Sequence, residues 1–111
     1  MAQKGSALVS VTTYALVKPY TPALFDRAAA ELDRVAARLA REVHGTLSER
    51  ATTTVDGRRT RVYRFGNASA QTRIGFVLEG RREYQLLCQN RRGATDPDRA
   101  CALLFDTFTV L

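Results

Sequence analysis

The feature that most constrains the fold is a long amphipathic segment between Thr21 and Val43. Thr21 followed by Pro22 is typical of a helix start, because a threonine hydroxyl can cap the first amides and proline suits the first helical position. A stripe of apolar residues along this segment predicts one amphipathic helix whose apolar side must be covered by another layer. We expect Gly45 to end this helix in a left-handed conformation. Apolar residues recur in the stripe at steps of three and four: Leu24, Phe25, Ala28, Leu32, Val35, Ala36, Leu39 and Val43.

Strand-forming sequences flank this helix on both sides. Residues 7–17 carry β-branched and aromatic side chains on both faces, which predicts a strand covered on at least part of each side. After the helix, Asp56 and Gly57 separate two strand candidates, residues 47–55 and 58–65. Both turn residues accept positive φ angles, so the pair favours a two-residue hairpin turn.

Two more strand candidates follow the hairpin. The pair Gly66-Asn67 opens a looser turn into residues 71–79, and we expect Gly80-Arg81 to turn the chain again into residues 83–89. Strands joined by short loops form an antiparallel meander. Each strand should present one apolar face. The residues that share a face are Thr72, Ile74, Phe76 and Leu78 in the first strand, and Tyr84, Leu86 and Cys88 in the second.

The end of the chain completes the predicted fold. Asp96-Pro97 repeats the pattern of a helix start, so we expect a short helix from Pro97 to about Phe105, and the final "DTFTVL" favours a last short strand. The order β-α-β-β-β-β-α-(β) predicts an α+β fold with a single antiparallel β-sheet packed with one long and one short α-helix. A chain of 111 residues has room for one domain, covering residues 1–111.

Cys88 and Cys101 are the only cysteines, and His44 is the only histidine. Structural zinc usually takes four Cys or His ligands in close pairs, so we expect no metal site. Thioredoxin-type redox pairs have their thiols about three residues apart, which this spacing does not provide. A disulfide between the last predicted strand and the short helix is favoured, and two reduced buried cysteines are the other interpretation. A disulfide would indicate an extracytoplasmic protein, whereas free cysteines would indicate a cytoplasmic one.

The chain is basic, with a formal net charge of +6. A basic balance favours anionic partners. Arg59, Arg61, Tyr63 and Phe65 occupy every second position and share one face of a strand, and we expect Arg73 to join them from the neighbouring strand. Such a face is a candidate anion-binding site for single-stranded nucleic acid. The arginines are scattered along the chain, however, and the aromatic residues suit a core under a helix, so the sequence disfavours a nucleic-acid partner.

Nothing in the sequence predicts an enzyme or a cofactor. Acid–base catalysis needs carboxylates or a histidine that converge in a cleft, and the acidic residues here fall at turns, caps and positions next to arginines. Nucleophile-elbow and phosphate-binding motifs are absent from the sequence. No apolar run reaches the roughly 18 residues that span a bilayer. The first 20 residues lack the apolar core of a signal peptide.

The second half of the chain carries two short motifs in order. In "RIGFVLEGRREYQLLC", Gly80, Tyr84 and Leu86 form a Gly-x-x-x-Tyr-x-Leu pattern, and an aromatic close, "LLFDTFTVL", follows an acidic loop and a short helix. With the helix in "YTPALFDRAAAELDRVA", this order resembles the PsbP-like family. That family comprises the extrinsic photosystem II subunit, a eukaryotic Ran-binding relative and exported bacterial proteins of unknown role. The chain lacks the opening hairpin, with its proline and tryptophan, that such domains usually carry.

The resemblance implies a sheet flanked by helices without a common active site. It therefore implies a non-catalytic, exported or surface-attached bacterial domain that binds a protein or a small ligand. The alternative is a cytosolic basic module that binds single-stranded nucleic acid through the Arg59, Arg61 and Arg73 face. Without the opening hairpin, the sheet would have an exposed edge, and exposed edges pair with other chains. We therefore expect a homodimer through residues 8–17.

Overall fold

The computed structural model describes residues 2–4, 7–91 and 99–110. Within these ranges the chain forms one antiparallel sheet and two α-helices, one long and one short, which confirms the predicted α+β class. The strands are β1 (Ala2–Lys4), β2 (Ala7–Tyr20), β3 (Thr46–Val55), β4 (Arg58–Gly66) and β5 (Ala70–Arg91). A 3₁₀ turn (Pro22–Leu24) leads into α1 (Phe25–Glu42), and α2 covers Arg99–Thr107.

The sheet is organised around β5, which is 22 residues long. The strand order is β1-β2-β5-β4-β3. Residues 71–76 of β5 pair with β4, and residues 80–90 pair with β2 on the other side. The predicted turn at Gly80-Arg81 is therefore wrong, because both predicted strands are parts of one continuous strand. Gly80 does adopt a positive φ of 57°, but the chain continues in the same direction.

Gly80 changes which face of the sheet the side chains of β5 occupy. Before it, Ile74, Phe76 and Leu78 pack with α1 in one core cluster. After it, Tyr84 and Leu86 pack with α2 in a second cluster on the opposite side. A strand normally alternates faces with a period of two residues, and a single residue in the left-handed region interrupts that alternation. Both predicted apolar faces exist, but they point to opposite sides.

The long helix packs its predicted stripe onto β4 and β5. Leu32 and Ala36 of the stripe are buried against the sheet, together with Ala40, which the predicted stripe did not include. The end of the helix differs from the prediction, because His44 and not Gly45 takes the positive φ, at 54°. Gly45 is instead a site of close approach, where an added Cβ would lie 2.8 Å from the carbonyl oxygen of Gly66. Thr21 makes no side-chain capping bond.

The hairpin and the disulfide match the predictions. Asp56 and Gly57 both have positive φ, 50° and 74°, as a type I′ turn requires. Cys88 in β5 and Cys101 in α2 form a disulfide with an S–S distance of 2.02 Å. The predicted helix start at Asp96-Pro97 lies outside the described residues.

The closing segment does not form the predicted strand. Asp106 and Thr107 belong to α2, and residues 108–110 have no regular secondary structure. Tertiary contacts hold this segment instead. The Phe108 ring packs edge-on against Tyr84 at 5.4 Å, and the Val110 amide donates a hydrogen bond of 2.9 Å to a carboxylate oxygen of Asp56. The β-prone residues of this C-terminal segment therefore pack as an apolar cover over the α2 side of the sheet.

Replacing Gly80 with alanine should lower the free energy of unfolding by about 1 kcal/mol, because a Cβ is disfavoured in the left-handed region. Nothing lies within 4 Å of the added Cβ, so the cost is conformational and not steric. Urea denaturation measures the change. The neighbouring Arg81→Ala variant is the control, and equal stability of the two variants would contradict the assignment of strain to Gly80.

Candidate functional site

A concave apolar cleft lies between the end of β2 and the start of α1, and we call it the β2–α1 cleft. Its volume is about 320 Å³, at the lower end of the range for small-molecule sites. The lower part of the wall is buried core, whereas Leu24 is 38% exposed. The cleft therefore keeps apolar surface in contact with solvent. Its apolar lining consists of Leu16, Pro19, Tyr20, Leu24, Ala28, Leu32 and Leu78, and its charged residues are Lys18, Arg27, Glu31 and Glu83.

An irregularity in β2 builds this cleft. The pairing of β2 with β5 shifts between Ala15 and Tyr20, where four residues of β2 have no direct partner in β5. Leu16 and Tyr20 pack against the α1 side of the core, whereas Val17 is 92% exposed. The bulge thus separates the end of β2 from the regular sheet and leaves space between this segment and α1.

Tyr20 stands between the β2–α1 cleft and a second cleft of about 240 Å³ at the hairpin turn. Arg58 and Arg59 line the second cleft together with Glu79. Burial raises the pKa of the Tyr20 hydroxyl, and the nearby Glu79 raises it further while Arg59 lowers it. The phenol therefore stays protonated at neutral pH and remains a hydrogen-bond donor.

The four charges of the β2–α1 cleft differ in their surroundings. Glu31 forms an ion pair with Arg34 at 2.5 Å, and Glu83 accepts a 2.9 Å hydrogen bond from the Gln85 amide. Lys18 and Arg27 form no ion pair with any residue in the described ranges. The acidic groups of the cleft therefore have partners within the chain, and its two cations remain available.

The outer edge of β2 is the second exposed feature. β1 pairs only with residues 7–9, so no described strand lies beside residues 10–17 on that side. We call this segment the free edge of β2. Val11 and Tyr14 are 46% and 47% exposed. The sequence predicted cover on at least part of both faces of β2, but residues 10–15 are all exposed, and partial burial is confined to Leu8, Val9, Leu16 and Tyr20.

The predicted arginine face is not assembled. Arg61 donates hydrogen bonds of 3.1 and 3.2 Å to the carboxylate of Asp33. The Arg59 guanidinium lies 4.4 Å from the centre of the Phe25 ring and donates to the Pro22 carbonyl at 2.9 Å. Both arginines therefore belong to the contact between β4 and the segment that contains α1.

Arg73 lies on the opposite side of the sheet, which corrects the expectation that it shares a face with the other two arginines. The register of β4 and β5 pairs Arg73 with Arg64 and pairs Arg61 with Phe76. Directly paired residues point to the same face. The Arg73 guanidinium accordingly lies over the Phe105 ring of α2, 4.4 Å from its centre. Phe76, the partner of Arg61, is three residues from Arg73 along β5, and strand residues an odd number of positions apart point to opposite faces.

Asp33 is the centre of a polar cluster at the edge of the α1 core. Besides Arg61, the hydroxyl of Tyr63 donates a hydrogen bond to it, and Arg50 lies 3.5 Å away. Partial burial by itself would raise the pKa of Asp33, but the hydrogen bonds from Arg61 and Tyr63 and the two arginine charges lower it. Burial, followed by the hydrogen bond to Asp33, raises the pKa of Tyr63. The cluster is a structural link between α1 and β4.

The remaining candidates for chemistry are accounted for by the fold. The disulfide buries both cysteine side chains, and His44 is exposed in the turn after α1. In the ranges that the structure describes, no three His, Cys, Asp or Glu side chains are grouped so that they could hold a metal ion. None of the helices there is long and apolar enough to cross a membrane.

Comparisons of this chain with protein-family models, with curated proteins and with solved structures return no match. The likeness to the PsbP-like family therefore rests on the sequence motifs alone. Sequence reasoning placed Leu24, Ala28 and Leu32 on the apolar stripe but missed the cleft. No local pattern indicates it, because the cleft depends on the β2 bulge and on the position of Leu78 at the end of the α1-facing part of β5.

Proposed function

We propose that this chain is a non-catalytic binding domain, exported or surface-attached in a bacterium, that binds protein through the free edge of β2. The observation that carries this proposal is a run of eight edge residues, 10–17, that have no described strand on their outer side and no charged side chain. Edge strands of monomeric proteins are commonly protected by charge, proline or bulges. Here Lys18 and Pro19 come only after this run, and the bulge affects only its last two residues, whereas the opposite edge strand, β3, carries Glu49 and Arg50.

A second copy of the chain is the partner that the residues of this edge fit best. In an antiparallel pair related by a two-fold axis at Thr13, Val11 would lie opposite Ala15 and Thr12 opposite Tyr14. Apolar or β-branched side chains would then face one another, and such cross-strand pairs stabilise sheets. No like charges come opposite in this register, although each copy carries a net charge of +6. Strand addition also satisfies the backbone amides and carbonyls of the edge.

Two observations support the extracytoplasmic location. The Cys88–Cys101 disulfide is characteristic of oxidising compartments, because thiols in the cytosol are kept reduced. The PsbP-like motifs favour the same location and an accessory role. The alternative function, binding of single-stranded nucleic acid, has no such support, since Arg59 and Arg61 contact the α1 side and Arg73 lies on the other face.

Light scattering tests the homodimer. We expect the wild-type chain to have twice its 12.3 kDa monomer mass at micromolar to millimolar concentration, and the Val11→Lys and Tyr14→Lys variants to be monomers. A lysine on an edge strand opposes pairing because its charge must stay solvated. Thr53→Lys, on the exposed edge strand β3, is the matched control and should keep the wild-type mass. A monomeric wild-type chain across the whole range would refute self-pairing.

A further inference from the structure

We infer that the β2–α1 cleft binds a single-chain amphiphile with an apolar tail and an anionic headgroup, namely a free long-chain carboxylate. This site goes beyond the proposed protein interface, because it lies on the α1 side of the bulge and shares only Leu16 with the free edge of β2. The inference rests on the apolar wall, on the available cations and on the position of those cations.

The wall is suited to an alkyl chain. Seven of its side chains offer apolar surface, and Leu32 and Leu78 form a buried floor that belongs to the core. The cleft is open to solvent and has a volume of about 320 Å³, so a linear chain can enter without rearrangement of the core. Leu24, at the start of α1, and Leu16, in the bulge, approach the space from different elements. An alkyl chain between them would remove apolar surface from water on both sides.

The charged residues of the cleft favour an anionic headgroup. Arg34 neutralises Glu31, whereas Glu83 accepts a hydrogen bond from the neutral Gln85 amide and keeps its charge, so the two cations without an ion pair outnumber the one uncompensated carboxylate. Lys18 and Arg27 have no acidic partner in the described part of the chain, and they come from the two elements that border the cleft. A carboxylate can accept charge-assisted hydrogen bonds from both cations, whereas an alcohol forms weaker bonds and an ammonium group is repelled. The net charge of +6 also favours an anion.

Isothermal titration of the full chain with three C12 compounds, each below its micelle concentration, tests this inference. Dodecanoate should bind, and dodecanol and dodecylammonium should bind at least about tenfold more weakly, because they lack the charge-assisted bonds. The double variant Lys18→Gln with Arg27→Gln should lose about tenfold in affinity for dodecanoate. The matched control, Arg38→Gln with Arg41→Gln, removes two exposed charges from α1 outside the cleft and should bind as the wild type does.

A second variant tests the tail. Ala28→Phe places a ring in the cleft, and it should abolish dodecanoate binding while circular dichroism shows an unchanged fold. If Ala28→Phe fails to fold, Leu24→Asp serves the same purpose, because Leu24 is exposed, and the change removes apolar surface from the wall and places a carboxylate that repels the anionic headgroup. Binding that survives a folded cleft variant would overturn the inference.

The other outcomes are equally decisive. Equal affinity for all three C12 compounds, or an unchanged affinity in the double glutamine variant, would overturn the headgroup assignment. Tighter binding of a short apolar peptide through its C-terminal carboxylate would overturn the alkyl chain in favour of a protein segment. The Val11→Lys variant, altered only at the free edge of β2, should bind dodecanoate with unchanged affinity. A monomeric wild type that still binds dodecanoate would refute the dimer alone.

Discussion

A chain without its disulfide, made by Cys88→Ser together with Cys101→Ser, should lose about 3 kcal/mol of unfolding free energy. The bridge joins residues 13 positions apart and therefore closes a loop of the unfolded chain, whose entropy it reduces. Both side chains are buried, with exposed fractions of 0% and 1%. The serine hydroxyls would consequently be buried as well, which adds to the loss unless Asn90, next to both sulfurs, can satisfy them.

Urea denaturation of three samples separates these contributions. The double alanine variant removes the bridge without introducing hydroxyls, and the wild type treated with a reducing agent removes it without mutation. All three should unfold at lower urea concentration than the oxidised wild type, with the double serine variant lowest. Domains of this kind have a total stability of only about 5–15 kcal/mol, so such a loss is large. Equal midpoints for the reduced and oxidised wild type would contradict a stabilising disulfide.

The Asp33→Asn variant should lose about 2 kcal/mol at neutral pH. Asp33 accepts hydrogen bonds from Arg61 and from the fully buried Tyr63, and bonds to charged groups contribute about 1.5–3 kcal/mol each. Its side chain is 25% exposed, so solvent screens the ion pair, and we therefore expect a loss smaller than the sum of the two bonds. An asparagine can accept one of these bonds but leaves the Arg61 charge without a partner carboxylate.

The effect of Asp33 should depend on pH in a defined direction. Its pKa in the folded chain is lowered from 3.8, because the hydrogen bonds and arginine charges outweigh the opposing effect of burial. Its stabilisation is therefore fully present well above pH 3.8 and is lost as the pH falls through the lower folded value. The difference in unfolding free energy between wild type and Asp33→Asn should be constant from neutral pH to about pH 5 and shrink below about pH 4.

Urea titrations at several pH values measure this difference. Asp26→Asn is the matched control, since Asp26 is an exposed carboxylate in the first turn of the same helix. This control should change stability by less than about 1 kcal/mol at any pH, as expected for a single charge near a helix terminus. A difference between wild type and Asp33→Asn that is as large at pH 3 as at pH 7 would contradict the assigned ion pair.

Elements defined by local chemistry were predicted correctly from the sequence. The apolar stripe identified α1, because apolar side chains on one side of a helix must be buried whichever element packs against them. Asp56-Gly57 specified the hairpin turn because few other residues accept two successive positive φ angles. The positions of Cys88 and Cys101 on adjacent elements favoured a disulfide, which the structure contains. In each case the determining interactions lie within a few residues or between neighbouring elements.

Other features required the tertiary structure. Gly80 was predicted to turn the chain, but pairing of β5 with β4 on one side and with β2 on the other keeps the strand continuous. Arg73 was expected beside Arg61, and the strand register placed it on the other face. The β2–α1 cleft exists only because the β2 bulge and α1 meet there. Register, strand continuity and cavity shape depend on backbone pairing between distant segments, whereas the sequence by itself determined the elements whose patterns are local.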